Sequence, residues 1–294
     1  MAASSCAPTG SRPVALTIAG SDCCAGAGLQ ADLKTFGAYG CHGLTAVTCV
    51  VSEIPGRVAA LDPIRPALVR NQIEILRSAY PIRAAKTGML YSEAIIRQVA
   101  EALEDASFPL VVDPVMVASS GDPLLKSSAV TAFFKRIFPL ATLVTPNADE
   151  LALLAGSPVR TLRDLREAGL RLFERCGCAF LLKGGHLRGK TAVDVLIGPG
   201  LFEEFSAPFI RSVPTHGTGC TFSAAITAGL AHGATLSESV HSAKTFITSA
   251  ICGCLRWGKV GALDQTNPAA IPGHARPAGV RASGARPRRR PVRC

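Results

Sequence analysis

The pentapeptide His216-Gly217-Thr218-Gly219-Cys220 follows an extended run at residues 209–213 and precedes an Ala-rich stretch of helical character at 223–232. Its glycines are therefore expected at a strand-to-helix junction. Backbone N–H groups at a helix start point outward and favour negative charge, and glycine lets anionic oxygens approach closely. A cysteine in that first turn feels the same field. Its thiolate is favoured, which predicts a pKa lowered from about 8.5 into the range of roughly 3.5–7.5. Alone, the pentapeptide fits either an oxyanion cradle beside a base or nucleophile, or a tight turn with a buried cysteine.

Working outward, short apolar runs at residues 14–19, 45–51, 84–87, 110–112, 142–145, 180–183 and 193–197 alternate with helical patterns. Leu29, Leu33 and Phe36 form one helical stripe, and Ile95, Ile96, Val99 and Leu103 another. Ser92 is placed as an N-cap, Thr161-x-x-Asp164 opens a third helix, and Thr235-x-x-Glu238 carries a capping-box pattern. This alternation predicts an α/β fold with a central, mostly parallel β-sheet flanked by helices on both faces. Ligands of such sheets gather at the carboxyl ends of the strands. Five runs end in polar clusters: Gly20-Ser21-Asp22, Lys86-Thr87-Gly88-Met89, Asp113-Pro114-Val115-Met116, Thr145-Pro146-Asn147 and Lys183-Gly184-Gly185-His186. A single strand-end Asp is usually a turn residue. Five such endings on one edge, with the Gly-Thr-Gly-Cys turn, predict a site.

The chain has 294 residues, 48% of them hydrophobic, which suits one large domain or two small ones, and one catalytic domain is the simpler reading. The expected division is a flexible N-terminus at 1–13, a catalytic domain at 14–268 and a disordered Arg/Pro-rich tail at 269–294. Seven arginines and no acid fall in that tail, so the formal charge of +10 leaves about +3 elsewhere. This distribution argues against a nucleic-acid partner, although an Arg run can bind phosphate backbones nonspecifically. Eleven cysteines, an odd number without C-x-x-C pairs, suit reduced thiols in a cytoplasmic protein. No membrane span or signal peptide is read. A loop at residues 118–123 is flexible by composition and is expected to act as a lid.

The ordered set of motifs resembles the hydroxymethylpyrimidine/phosphomethylpyrimidine kinases of thiamine biosynthesis, within the ribokinase-like superfamily. The resemblance spans about residues 14–251. It is carried by Ala19-Gly20-Ser21-Asp22, the Gly26-Ala27-Gly28-Leu29-Gln30-Ala31-Asp32 segment, Thr45-Ala46-Val47-Thr48, Lys86-Thr87-Gly88-Met89, Asp113-Pro114-Val115-Met116, Thr145-Pro146-Asn147-x-x-Glu150, Lys183-Gly184-Gly185-His186 and the opening pentapeptide. It implies a single-domain ribokinase-like fold, usually dimeric, so a homodimer is expected. It also implies ATP and Mg²⁺ acting on a small hydroxymethyl acceptor.

Roles follow from that resemblance and from what in-line phosphoryl transfer requires. Gly217, Thr218 and Gly219 would hold the transferring group, with Cys220 as the base. Sugar kinases of the superfamily usually carry Asp there, so the cysteine points to the pyrimidine and vitamin B6 branch. Asp113 and Glu150 would organise Mg²⁺, mostly through water. Asn147, Lys183, Thr215 and Lys244 are assigned to the nucleotide. Gly20, Asp32, Val50 and Met89 are assigned to the acceptor, with Asp32 accepting from the ring amino group. The plainer alternatives are first-turn helix acids for Glu150 and Asp32 and a solvated helix face for Lys244. His186 and His216 read as loop-fixing partners, and no spacing supports zinc.

One departure concerns the acceptor. Relatives commonly continue Thr-Ala-Val-Thr with Ala-Gln-Asn-Thr, whose Gln bonds the pyrimidine, whereas this chain has Cys49-Val50-Val51-Ser52-Glu53. Val50 cannot make that bond, and Glu53 or a backbone carbonyl is left to substitute. A second departure, Cys23-Cys24-Ala25 for Pro-Ser-Gly, leaves Gly26 and Gly28 in place. The leading expectation is phosphorylation of 4-amino-5-hydroxymethyl-2-methylpyrimidine and then of its monophosphate. Pyridoxal or pyridoxine kinase is the alternative enzyme, a non-catalytic pyrimidine sensor the alternative class, and a cysteine hydrolase a distant third.

Overall fold

The computed structural model describes residues 12–116 and 127–266 apart from 186, 188 and 212. The Arg-rich tail, nearly all of the N-terminus, the loop read as a lid and His186 lie outside the described residues.

The chain begins β1 (Val14–Asp22), α1 (Gly28–Ala38), β2 (His42–Ile54), β3 (Arg57–Pro63), α2 (Pro66–Ala79), β4 (Ile82–Thr87), α3 (Glu93–Leu103) and β5 (Leu110–Val112). It continues with α4 (Ser127–Ala132), two further short turns of helix, β6 (Leu143–Val144), α5 (Ala148–Ala155), α6 (Leu162–Cys176), β7 (Ala179–Leu182), β8 (Thr191–Gly198) and β9 (Leu201–Pro208). Helices α7 (Thr218–Ala231) and α8 (Leu236–Cys252) precede a small hairpin of β10 (Leu255–Trp257) and β11 (Val260–Ala262).

Nine strands form one sheet in the order β3-β2-β1-β4-β5-β6-β7-β8-β9. Pairing is parallel from β2 through β7 and antiparallel at both edges, where β3 and the β8–β9 hairpin are added. The central strands are apolar on both sides, as sheets covered on both faces require. Leu16, Val112, Val144 and Leu182 pack with α2, α3, α5 and α6 in one core. Ala15, Val111, Leu143 and Leu181 pack with α1, α7 and α8 in the other. Ser92 caps α3 through its hydroxyl, the predicted capping box at Thr235 is formed, and Thr161, read as a helix start, forms one as well. The α/β expectation with helices on both faces is met.

Residues 209–213 depart from expectation. Strand β9 ends at Pro208, whose partner Thr191 is the first residue of β8, so the ladder runs out there. Residues 209–211 and 213 are irregular, and the helix starts at Thr218 rather than near 223. The pentapeptide therefore joins a loop to a helix. Strands β3 and β9 and helix α2 escape the sequence reading. Strand β3 is an exposed edge with a mixed pattern, and α2 opens on Pro66 at a position where proline needs no N–H partner.

Candidate active site

The parallel strands end at one rim, and a cavity of about 490 Å³ opens there, within the size range of small-molecule sites. Two glycine-rich turns meet at its centre. Gly217 takes φ +82, and a methyl group on it would stand 1.9 Å from the Gly26 carbonyl oxygen. Only glycine fits. The Thr218 N–H and hydroxyl both donate to the Thr215 carbonyl, at 3.1 and 2.7 Å, which closes the turn into α7. The facing turn is organised by Asp22, buried and absent from the role assignments made on sequence. Its Oδ2 accepts from Gly26 N (3.1 Å), Ala27 N (2.8 Å), Cys24 Sγ (3.2 Å) and His216 Nε2 (3.0 Å). Burial alone would raise this carboxyl, but those donors outweigh it and hold it far below the usual range. Asp22, Cys24 and His216 place metal-ligand atoms within 4.8 Å of one another. Four donors on one oxygen identify the group as the hub of a turn. Gln265, also unassigned from sequence, donates its amide to the Gly26 carbonyl (3.0 Å) and to Thr221 Oγ1 (3.2 Å).

On one side of the turns lies a row of charge. Lys183 Nζ donates to Asp113 Oδ1 at 2.8 Å, and Thr145 Oγ1 donates to the same oxygen at 3.1 Å. A methyl group on Gly219 would stand 3.1 Å from Lys183 Nζ and 3.6 Å from Asp113 Oδ2, so the Gly-Thr-Gly turn lies over this pair. Burial would raise the Asp113 carboxyl, and the Lys183 and Lys86 ammoniums outweigh it to hold it low. Asn147 caps α5, its Oδ1 accepting from the N–H groups of Asp149 and Glu150, while Glu150 Oε2 accepts the Asn147 N–H at 2.8 Å. The first-turn reading of Glu150 thus holds, and the residue also lines the cavity. Lys244 is not on a solvated face: its Nζ donates to Asp194 Oδ2 at 2.7 Å. Thr215 and Lys244 both line the cavity.

Burial pushes the Glu150 carboxyl up to about 7 against the pull of Lys183. A carboxyl whose folded value lies above its unfolded one destabilises the fold once ionised, so the penalty grows from about pH 4.5 and is complete above about pH 7. Glu150→Gln, which keeps an oxygen for the Asn147 N–H, is expected to raise stability at pH 8 by about 1–3 kcal/mol. The gain should vanish near pH 4.5. Urea unfolding at both pH values tests this, and an equal or lower midpoint for the variant at pH 8 contradicts it.

On the other side, Gly20, Met89, Val51 and Glu53 line the cavity. A methyl group on Gly20 would stand 2.8 Å from Cys49 Sγ, which itself lies 4.0 Å from Met89 Sδ. Two acceptor assignments do not reach this wall. Val50 is 50% exposed and outside the lining, because strand alternation sends Val51 and Glu53 inward instead. Asp32 is wholly buried beneath the site: its Oδ1 accepts from Lys86 Nζ at 2.8 Å and its Oδ2 from Thr17 Oγ1 at 2.6 Å. Neither oxygen faces the cavity, and Lys86, given no role from sequence, is its partner.

Cys220 sits in the first turn of α7 and lines the cavity. Its expected low pKa is not what the surroundings produce. Loss of water around the thiol pushes it up to about 12; Lys86 and the Gly28 N–H pull it down, while Asp32 and Asp113 push it further up. Two buried carboxylates and dehydration outweigh one ammonium and the helix start. The resting group is a thiol.

The sequence profile of the phosphomethylpyrimidine kinase family matches residues 22–263. A hydroxymethylpyrimidine/phosphomethylpyrimidine kinase of Streptomyces coelicolor is 40% identical over 259 residues, covering 88% of this chain and 96% of that one. The bifunctional thiamine biosynthesis protein of Geobacter sulfurreducens is 42% identical over 241 residues, 82% of this chain, which spans about half (49%) of that longer relative. The pyridoxal kinase of Staphylococcus aureus, solved with AMP-PCP and pyridoxal, superposes with a TM-score of 0.80 at 35% identity, covering 87% of this chain and 94% of that one.

Proposed function

The chain belongs to the phosphomethylpyrimidine kinase family, and from that premise we propose how its own residues carry out the transfer. It is a phosphotransferase of thiamine biosynthesis with a ribokinase-like fold. It uses ATP to phosphorylate the hydroxymethyl group of 4-amino-5-hydroxymethyl-2-methylpyrimidine and then the resulting monophosphate. The observation that carries this reading is the Gly-Thr-Gly turn over the Lys183–Asp113 pair, with Gly20, Met89 and Val51 lining the same cavity.

In-line transfer needs the phosphates held, their charge offset and the acceptor hydroxyl deprotonated. Freed N–H groups at the start of α7 face the transferring group, and Lys183 supplies a point charge beneath it. Lys244, Thr215 and Asn147 hold the remaining nucleotide phosphates. Cys220, in its thiolate form, takes the hydroxyl proton and becomes the thiol. Asp113 and Glu150, hard oxygen donors that both line the cavity with Lys183, fit Mg²⁺ held through water. Bound there, Mg²⁺ would offset charge on the donor phosphates. The nine described cysteines are free thiols, which supports a cytoplasmic setting. Among the described residues no helix is long and apolar enough to cross a membrane. Exposed Val50 and Ile54, on the outer side of the β2–β3 hairpin, support a homodimer through that hairpin; a monomer in sedimentation at micromolar protein would refute it.

The pyridoxal kinase reading is kept alive by the Staphylococcus aureus structure. Both acceptors are flat rings with a hydroxymethyl arm. The expected result is a higher kcat/KM for the aminopyrimidine, and a preference for pyridoxal of more than about tenfold, roughly 1.4 kcal/mol, would reverse the assignment.

A further inference from the structure

Glu53 is the last-but-one residue of β2 and part of the cavity wall. Its backbone is pinned from two sides. Cys23 Sγ donates to the Glu53 carbonyl at 3.2 Å and accepts the Glu53 N–H at 3.3 Å, while Val58 of β3, another lining residue, pairs across from it. Strand position and backbone contacts therefore fix where the side chain emerges. Among the described residues no N–H or O–H is found donating to its carboxylate. The neighbouring charges are Asp22, which repels it, and His216, which attracts it. A half-buried carboxylate beside another carboxylate, without a donor of its own, is costly to the free protein. A ligand N–H is the partner such a group lacks.

We propose that Glu53 determines acceptor specificity, accepting a hydrogen bond from the exocyclic amino group of a flat heteroaromatic acceptor and thereby filling the role that Val50 cannot. The inference rests on the acceptor reading above and deepens it. Val50 is exposed and outside the lining; the positions of the same strand that line the cavity are Val51, which is apolar, and Glu53. Val51 packs on the ring and Glu53 reads its polar edge. A carboxylate also discriminates by repulsion. An acceptor that presents an oxygen anion at the equivalent edge, as a hydroxypyridine does on ionising, meets like charge there. Selection for an amino-bearing ring thus has an attractive and a repulsive element in one side chain.

The test separates recognition from turnover. Calorimetric Kd values are measured for the full chain, for Glu53→Ala and for Glu53→Gln, with two ligands: 4-amino-5-hydroxymethyl-2-methylpyrimidine and the analogue carrying hydrogen in place of the amino group. The wild-type protein is expected to prefer the amino ligand by at least about tenfold. Glu53→Ala should erase that preference while changing affinity for the analogue by less than about threefold. Glu53→Gln, whose amide oxygen still accepts, should keep part of it. Unchanged nucleotide affinity in both variants shows that they fold. Absence of the preference in the wild type, or its survival in Glu53→Ala, overturns the proposal. Failure of the wild type to consume ATP with the bound aminopyrimidine would defeat the functional reading instead, whatever the Kd values show.

Discussion

Cys220→Ala is expected to lose about 10²- to 10⁴-fold in kcat, the range for removal of a positioned base, with little change in KM for ATP. The side chain lines the cavity one residue beyond the Gly-Thr-Gly turn, so truncation leaves the phosphate cradle and the Lys183–Asp113 pair intact. Because the surroundings push the free thiol up to about 12, the active thiolate is a minor species at neutral pH in the free protein. Raising the pH increases it, so kcat in the wild type should climb between pH 7 and pH 9 and the alanine variant should lack that climb. The same property predicts that iodoacetamide at pH 7.5 modifies exposed Cys23 and Cys252 before Cys220. Wild-type turnover by Cys220→Ala would remove the thiol from the mechanism.

The convergence of strand ends was legible because it follows from alternation alone. Once β1, β4, β5, β6 and β7 are parallel neighbours, Asp22, Thr87, Asp113, Thr145 and Lys183 share one rim. Their pairing was not legible. Asp22 meets His216, 194 positions away, and Gln265 meets Gly26, 239 positions away. Only the order of strands and the packing of α7 on α1 bring them together. Val50 illustrates a different loss. The β1–β2 register shifts between Ala19 and Ser21, so Ser21 pairs with Val50 and the inward positions of β2 become 51 and 53. Motif spacing carries no record of such a bulge. Asp32 and Cys220 fail for a third reason. Their types were read correctly, but Asp32 is drawn under the site by Lys86 and Thr17, and the ionisation of Cys220 depends on how much water the fold removes, neither of which composition can weigh.

Lys86→Met is expected to destabilise the fold by about 3–5 kcal/mol, because it leaves the Asp32 carboxylate buried without its counter-charge. The two side chains are 1% and 0% exposed and meet at 2.8 Å, so solvent cannot replace the missing ammonium. Thr17 still donates to Asp32, yet one hydroxyl does not offset a dehydrated carboxylate. The loss is a large part of the roughly 5–15 kcal/mol that holds a typical domain together. It should shrink as the pH falls, since an unpaired buried carboxyl takes up a proton and becomes neutral. Asp32→Leu combined with Lys86→Met is expected to recover most of the stability, as apolar replacement of a whole buried pair often does. If urea unfolding puts Lys86→Met within about 1 kcal/mol of the wild type at pH 7.5, water reaches the pair and the argument fails. A rescued double variant would still differ in activity. The pair joins β1, α1 and β4 beneath Cys220, and Lys86 is the ammonium that draws the thiol toward ionisation. Stability and turnover should therefore separate in that variant, the first restored and the second still low, because apolar side chains can fill the space of an ion pair but cannot supply its field.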